Sequence, residues 1–373
     1  MILQNATAYV GGTFTNGLSV RIHDGKILAI STFLAPIGEE KVIDCQGDYL
    51  LPGFVDVHIH GFKGQDTMYG EKAIRFIASQ LKQQGVAAFL PTTMSASPQQ
   101  TRQILQAISS VKTQPDSDSA TVLGAHMEAP FMALSKQGAQ LGEYFTAPTV
   151  DSYEAFTGDY ADTVRLITMA PELEGGLDFI SHYASEHTVI SIGHTEATCA
   201  LTRKAADHGA THVTHLFNAQ TPLHHRDPGV PGAALTDERL FVELICDGIH
   251  LHPDIIRLVL AAKGRERVLL VTDAMEASGM PDGEYELGGQ KVFVRQGEAR
   301  LHSGVLAGST LTMAQGLKNL IKKFHIDPEV AVWMSTAAPA DSIYEKNFGR
   351  IALGKNSTLT RWTPTWDMVH VYS

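Results

Sequence analysis

Long apolar runs and a recognisable leader are both missing from this sequence. No stretch of 18 consecutive apolar residues occurs, so no segment is typical of a membrane-spanning helix. The opening residues, MILQNATAYV, contain neither a basic leader nor a small-residue cleavage site. We therefore expect a cytoplasmic protein that does not bind membranes.

Cysteine and positive charge are also scarce. Cys45, Cys199 and Cys246 are widely spaced and form no C-x-x-C pair, which argues against a thiolate zinc site or a redox motif. The chain has 29 Lys and Arg against 40 Asp and Glu, a formal net charge of -11. This excess of acid disfavours nucleic acid and anionic membranes as partners, because both attract clustered basic residues. An anionic substrate would need a local cationic pocket.

The apolar content is sufficient for a large core. Hydrophobic residues make up 44% of the 373 residues, which is ordinary for a globular protein and disfavours long disordered stretches. The length exceeds that of one compact domain but fits a barrel of roughly 250 residues with a smaller unit. We therefore expect one large domain and one small domain.

Eight apolar runs alternate with helix-like segments after residue 50, as in repeated parallel βαβ units. The runs are Leu50 to His60, Gly85 to Thr93, Thr121 to Glu128, Val164 to Glu172, Thr188 to Thr195, His212 to Ala219, Phe241 to His250 and Val268 to Met275. Because eight is the strand number of a TIM barrel, the sequence predicts an α/β fold with a (β/α)8 barrel over residues 50–345.

The two ends of the chain have a different hydrophobic pattern from the barrel segment. Alternating apolar stretches on either side of Asp24-Gly25 predict a hairpin. Residues 346–373 also have a β pattern, and we expect them to pair with residues 1–49 in a small β-sandwich domain. Within the barrel segment, residues 281–301 resemble an inserted hairpin that could cover the site as a lid.

Histidines and carboxylates recur where the predicted strands end. They are His58, His60, Glu128, His194, His215 and Asp273. In a barrel these strand ends form the catalytic face, and the alternation of a strand points both imidazoles of His58-Ile59-His60 to the same side. Imidazole and carboxylate suit zinc, iron(II) or a similar divalent ion, and the sequence does not choose among them.

This pattern resembles the amidohydrolase superfamily. Many members carry a metal-bridging lysine on strand four, but the fourth run here contains none, whereas strand three ends in Glu128. The narrower resemblance is to the N-acetylglucosamine-6-phosphate deacetylases, in which a glutamate takes that place. It extends over further stretches: Leu51-Pro52-Gly53-Phe54-Val55-Asp56, His126-Met127-Glu128-Ala129-Pro130-Phe131, Gly193-His194-Thr195, Thr214-His215-Leu216-Phe217-Asn218-Ala219, Asp247-Gly248-Ile249-His250, Val271-Thr272-Asp273-Ala274-Met275 and Leu306-Ala307-Gly308-Ser309.

The resemblance implies roles for the strand-end residues. Glu128, His194 and His215 would hold the principal metal, and His58 and His60 a second ion, so that one or two divalent ions bind per subunit. Asp273 would take a proton from the attacking water and deliver it to the departing amine. The implied reaction removes the acetyl group from N-acetylglucosamine-6-phosphate.

The resemblance also implies substrate-binding residues. Asn218 and Ala219 would meet the sugar phosphate through backbone amides, and Leu306 belongs to the same implied set. His250 would hold or polarise the sugar. Arg226 would bind phosphate across a subunit interface, which implies a homodimer. Two departures are Ala129, where a glycine is usual, and Gln140, placed in the substrate set at a position where some members have a histidine.

Two other interpretations remain open. A hydrolase of the same superfamily could act on a cyclic amide or another N-acyl amino sugar, in which case Arg226 and the Asn218-Ala219 turn would form no anion site. A non-catalytic oligomeric scaffold would have no need of the intact Glu128 and Asp273.

Overall fold

The computed structural model describes residues 1–373 and has an α/β architecture. The strands are β1 Ile2–Val10, β2 Thr13–His23, β3 Lys26–Ser31, β4 Val42–Asp44, β5 Tyr49–Pro52, β6 Phe54–Ile59, β7 Gly61–Phe62, β8 Gln65–Asp66, β9 Val86–Pro91, β10 Thr121–Val122, β11 Ala125–Glu128, β12 Val164–Met169, β13 Val189–Ile192, β14 His212–Val213, β15 Phe241–Ile245, β16 Val268–Val271, β17 Gly283–Leu287, β18 Gln290–Arg295, β19 Glu298–Leu301, β20 Leu359–Trp362 and β21 Met368–Tyr372. The α-helices are α1 Glu71–Gln83, α2 Pro98–Thr113, α3 Val150–Thr157, α4 Gly176–Tyr183, α5 Cys199–Asp207, α6 Gly229–Thr236, α7 Pro253–Lys263, α8 Met313–Lys318, α9 Pro328–Ser335 and α10 Ala337–Ser342. Four short 3₁₀ helices and one π-helical turn at Asn319–Lys323 complete the set.

Parallel strands at the centre of the molecule coincide with the eight predicted runs. They form a six-stranded sheet in the order β11-β12-β13-β14-β15-β16 and a three-stranded sheet in the order β10-β9-β6. Single parallel bridges join the two sheets at both margins, between Ile59 and Ala274 and between Thr92 and His126. The third run is divided into β10 and β11 at Gly124, whose φ of 146° favours glycine.

Amphipathic helices cover the outside of these strands. Helix α2 begins with a capping box between Ser97 and Gln100 and has Pro98 in its first turn, both of which favour helix initiation. Its buried side chains, including Leu105 and Ile108, join a single core of 76 residues. None of the helices combines the length and apolarity needed to cross a membrane.

Strands from both ends of the chain form one seven-stranded sheet. Its order is β21-β20-β5-β1-β2-β3, and β4 also pairs with β1. The predicted hairpin is confirmed: β2 and β3 are antiparallel, and Asp24 and Gly25 in the turn both have positive φ. The predicted pairing of the tail is also confirmed, because β20 runs antiparallel to β5. These strands are hydrogen-bonded in one sheet, and the β-sandwich stays a prediction.

The segment after the eighth parallel strand forms more than the predicted hairpin. Strands β17 and β18 pair antiparallel around Gly288-Gly289, and β19 adds a third antiparallel strand. Leu287 and Val292 pack with Met94 and Met275 in a small apolar core of their own. This core fixes the sheet beside the ends of the parallel strands.

Candidate metal centre and substrate pocket

The six predicted ligand residues converge at the carboxyl ends of the parallel strands. They form two groups, His58 with His60 and Asp273, and Glu128 with His194 and His215. Within each group the ligand atoms lie within 4.8 Å of one another, and all six residues are buried. The six residues lie at or just after the carboxyl ends of β6, β11, β13, β14 and β16, so the fold brings them to one face of the parallel strands.

The group around Glu128 forms a compact triangle. Oε1 of Glu128 lies 3.3 Å from Nε2 of His194 and 3.2 Å from Nε2 of His215, and the two Nε2 atoms are 3.1 Å apart. Ligands about 2.0–2.1 Å from zinc at tetrahedral angles are about 3.3 Å from each other. The triangle therefore has the size expected of three ligands of one ion.

Proton placement at His194 supports a cation in this triangle. Nδ1 of His194 lies 2.7 Å from the carbonyl oxygen of Lys136, which can only accept a hydrogen bond. The proton of a neutral ring is therefore on Nδ1, and the lone pair of Nε2 faces a carboxylate oxygen. Two lone pairs in contact repel each other, so the donor set fits a bound divalent ion.

The second group shares Glu128 with the first. Nε2 of His60 lies 3.2 Å from Oδ1 of Asp273 and 3.2 Å from Oε2 of Glu128. Nε2 of His58 lies 3.4 Å from Oε1 of Glu128 and 3.5 Å from Oδ1 of Asp273. The Glu128 carboxylate thus contacts histidines of both groups.

Burial and charge compete in setting the pKa values here. Burial alone would lower the pKa of His60, but hydrogen bonds to Asp273 and Glu128 raise it to about 9. Burial would raise the pKa of Glu128, yet the surrounding imidazoles, His58 foremost, hold it well below its usual range. Burial also acts to raise the pKa of Asp273, and His58 and His60 lower it overall. Both carboxylates are therefore ionised and available as ligands.

The backbone is strained where it presents these side chains. The backbone φ values are 48° at His194, 28° at His215 and 48° at Asp273. Residues other than glycine rarely adopt this region. Ala129, next to Glu128, has a φ of 103°. Such conformations cluster at functional sites, where the surrounding structure holds them.

A cavity of about 570 Å³ opens above the two groups. Five of the six predicted substrate residues line it, namely Gln140, Asn218, Ala219, His250 and Leu306. Lys136 and Arg300 also line it and supply positive charge. Arg226 does not: it is exposed, and its Nη1 atom lies 2.7 Å from Nε2 of His225. The chain's own pocket is therefore formed without Arg226.

Two of these lining residues have fixed orientations. Nε2 of Gln140 donates to Oε2 of Glu128 at 2.8 Å, and its Oε1 accepts from the backbone nitrogen of Ser95 at 2.7 Å. Nδ1 of His250 lies 2.7 Å from Oδ2 of Asp247, which leaves Nε2 for the pocket. Gln140 thus contacts a ligand residue directly, a contact that the sequence did not predict.

A buried polar layer beneath the ligand residues was not predicted from the sequence. Glu243 lies 2.9 Å from His58 through Oε2 and Nδ1, and Nε2 of His126 lies 2.7 Å from Oγ1 of Thr168. The available signal was an ionisable side chain inside an apolar strand, as in Phe-Val-Glu-Leu-Ile at 241–245.

Comparison with known proteins agrees with this geometry. The model of the Amidohydrolase family matches residues 49–370. The N-acetylglucosamine-6-phosphate deacetylase of Bacillus subtilis (strain 168) is 37% identical over 349 residues, covering 91% of this chain and 87% of the relative. The N-acetylgalactosamine-6-phosphate deacetylase of Escherichia coli O157:H7 is 36% identical over 322 residues, covering 86% and 84%.

Solved structures are similar along the whole chain. A mutant N-acetyl-D-glucosamine-6-phosphate deacetylase from Mycobacterium smegmatis, in complex with N-acetyl-D-glucosamine-6-phosphate, has a TM-score of 0.92 and 28% identity, covering 100% of this chain and 97% of its own. The N-acetylglucosamine-6-phosphate deacetylase from Pasteurella multocida has a TM-score of 0.91, 28% identity and the same coverage. The chain belongs to the amidohydrolase family, on the branch of the N-acetylglucosamine-6-phosphate deacetylases.

Proposed function

We propose that this enzyme hydrolyses the acetamide of N-acetyl-D-glucosamine-6-phosphate to D-glucosamine-6-phosphate and acetate. The observation that carries the proposal is the triangle of Glu128, His194 and His215 at the floor of a pocket lined by Asn218 and Ala219. Relatives of similar sequence are named as deacetylases of amino-sugar 6-phosphates. A reaction of this kind belongs to the catabolism and recycling of amino sugars.

Glu128, His194 and His215 would hold the principal ion, and His58 and His60, with Asp273 beside them, a second one. We propose zinc, with iron(II) as the other ion suited to these ligands. A divalent ion bound here supplies Lewis-acid chemistry, which makes hydroxide available near neutral pH and polarises the amide carbonyl.

Asp273 is the proposed general base and acid. Its carboxylate lies among the ligands and lines the pocket, within reach of a water and an acetamide bound there. It would accept the proton of the attacking water and donate it to the sugar nitrogen as the C–N bond breaks. Because His58 and His60 keep the pKa of Asp273 low, the carboxylate starts in the basic form.

The other lining residues would position the sugar phosphate. Asn218 and Ala219 follow strand β14 and line the pocket. The backbone nitrogen of Asn218 donates to the carbonyl oxygen of His215, so the backbone amide of Ala219 would be the one that meets the anion. His250, oriented by Asp247, would hold the sugar, with Gln140 and Leu306 on the remaining walls. Arg226 lies outside its own pocket, so we propose that it reaches the phosphate of a second copy in a homodimer, where its planar fork of donors suits the anion.

We also propose a division of the chain that follows from this assignment. Residues 50–345 would form the catalytic domain as a closed (β/α)8 barrel, which the bridges from Ile59 to Ala274 and from Thr92 to His126 support. Residues 1–49 and 346–373 would form a small β-sandwich domain. A separate apolar cluster that includes Leu3, Val20 and Leu359 supports this unit.

Acetate release tests the function. The substrates are N-acetylglucosamine-6-phosphate, its unphosphorylated form and the 4-epimer N-acetylgalactosamine-6-phosphate, each with and without chelator. We expect chelator-sensitive release that favours the phosphorylated glucosamine. Faster release from N-acetylgalactosamine-6-phosphate would instead assign this enzyme the substrate named for the Escherichia coli relative. No release from any of the three sugars would reject deacetylation of amino-sugar phosphates.

A further inference from the structure

Glu243 is a fully buried carboxylate in the middle of strand β15. Its exposed fraction is 0%, and its neighbours from Phe241 to Ile245 are all buried and apolar. An ionised side chain inside an apolar strand costs several kcal/mol unless its partners compensate for lost water. The contacts of Glu243 therefore indicate what this carboxylate does in the strand.

One oxygen of Glu243 contacts a residue of each ligand group. Oε2 lies 2.9 Å from Nδ1 of His58 and accepts a hydrogen bond of 3.0 Å from the backbone nitrogen of His215. Oε1 lies 3.3 Å from Nε2 of His212 but is not aligned with it for a hydrogen bond. Both aligned contacts of the carboxylate thus go to predicted metal ligands.

The contact with Glu243 determines how His58 presents its ring. A carboxylate can only accept, so the proton of a neutral His58 is on Nδ1 and the lone pair of Nε2 faces Glu128 and Asp273. Nε2 of His58 is buried and has no hydrogen-bond partner. The ring of His126 packs edge-to-face against that of His58, with the ring centroids 4.5 Å apart and an interplanar angle of 81°.

We propose that Glu243 is a positioning residue that sets the tautomer and ring orientation of His58 and anchors the backbone of His215. This inference rests on the proposed two-ion centre and extends it to residues behind the ligands. His58 is held through its imidazole, whereas His215 is held only through its backbone. The ion bound by His58 and His60 therefore depends on Glu243 more than the principal ion does.

Zinc binding to the purified full chain tests the proposal. Two association constants are measured by competition with a chelator, for the wild type and for Glu243→Leu, which has a similar volume but removes both acceptor oxygens. We expect the association constant of the weaker site, formed by His58 and His60, to fall by about 10- to 100-fold. The association constant of the tighter site should change by less than about threefold. The matched control is Glu276→Leu, because Glu276 is also buried and accepts from one side chain, Tyr69, and one backbone amide, that of Glu286.

Three results would overturn the proposal. They are unchanged constants in Glu243→Leu, an equal loss of both constants in Glu243→Leu, and binding of only one ion by the wild type. If the variant does not fold, nitrogen NMR of histidine-labelled, zinc-loaded wild type decides: a proton on Nδ1 of His58 supports the role of Glu243, and a proton on Nε2 rejects it. These binding measurements use no sugar. If zinc binding is as expected but no acetate is released, only the proposed substrate is rejected.

Discussion

The side-chain amide of Gln140 donates a hydrogen bond of 2.8 Å to Oε2 of Glu128. Replacing Gln140 with leucine removes this donor and also leaves the backbone nitrogen of Ser95 without its acceptor. We expect zinc affinity at the principal site to fall by about 10- to 100-fold, because groups behind a ligand orient it. Chelator competition measures this affinity. A raised KM with unchanged zinc affinity would instead assign Gln140 to the sugar alone.

Asp273→Asn should bind zinc at the principal site as the wild type does but turn over poorly. The amide cannot accept the proton of the attacking water, so we expect kcat to fall by about 10²- to 10⁴-fold. Metal content and acetate release are measured on the same sample. Turnover close to that of the wild type would remove Asp273 from the acid and base role.

Arg226→Ala should raise KM for the phosphorylated sugar by at least about tenfold, because one charge-assisted contact to phosphate is lost. The unphosphorylated sugar is the control, since its KM should not change. An unchanged KM for both sugars would remove Arg226 from the phosphate site.

Mixing two impaired variants tests whether Arg226 acts across a dimer. A heterodimer of Arg226→Ala and Asp273→Asn contains one site with Asp273 from one subunit and Arg226 from the other. Activity should therefore return after subunit exchange, at low substrate concentration. If each Arg226 served its own subunit, the mixture would be no more active than its separate components.

Ala129→Gly should stabilise the protein. Ala129 has a φ of 103°, which costs an alanine about 1–2 kcal/mol, and the greater freedom of glycine in the unfolded chain offsets about 0.5–1 kcal/mol of this. We expect a small rise in Tm in thermal unfolding. The control is Ala133→Gly, a buried alanine of the same loop with a φ of -72°, which should lower Tm.

The ion pair of Asp237 and Arg239 should make stability depend on acid pH. Hydrogen bonds from Arg239 hold the pKa of Asp237 at about 2, below its ordinary value, so the folded state binds fewer protons than the unfolded state. The contribution is complete above about pH 5 and is lost as the pH falls towards 2. Because Arg239 is 47% exposed, we expect only about 1 kcal/mol.

Urea unfolding at several pH values measures this contribution. The difference in unfolding free energy between the wild type and Asp237→Asn should shrink between pH 5 and pH 3. Glu238→Gln, at the exposed neighbouring acid, should show no such trend. A difference that stays constant with pH would contradict the assignment.

The strand-end residues were predictable because local pattern is sufficient to place them. His58 and His60 alternate on one strand, and Asp273 directly follows the apolar strand β16, so a parallel arrangement brings them together. The split of the third run at Gly124 and the third strand β19 were not predicted, since short strands depend on tertiary packing.

Contacts between distant residues could not be read from the sequence. Glu243 and His58 are 185 positions apart, and nothing local marks one as the partner of the other. The role of Arg226 is harder still to predict from the sequence, because its proposed partner belongs to a second copy of the chain.

The pairing of β20 with β5 has a consequence for how the protein is made. Tyr49–Pro52 leaves the ribosome long before Leu359–Trp362, its neighbour in the sheet. Contacts between such distant segments form late, and until then an edge of β5 offers unpaired backbone groups to other chains. Synthesis that stalls before residue 359 would therefore release a chain prone to aggregate through that edge, even if the parallel strands and their histidines were already in place.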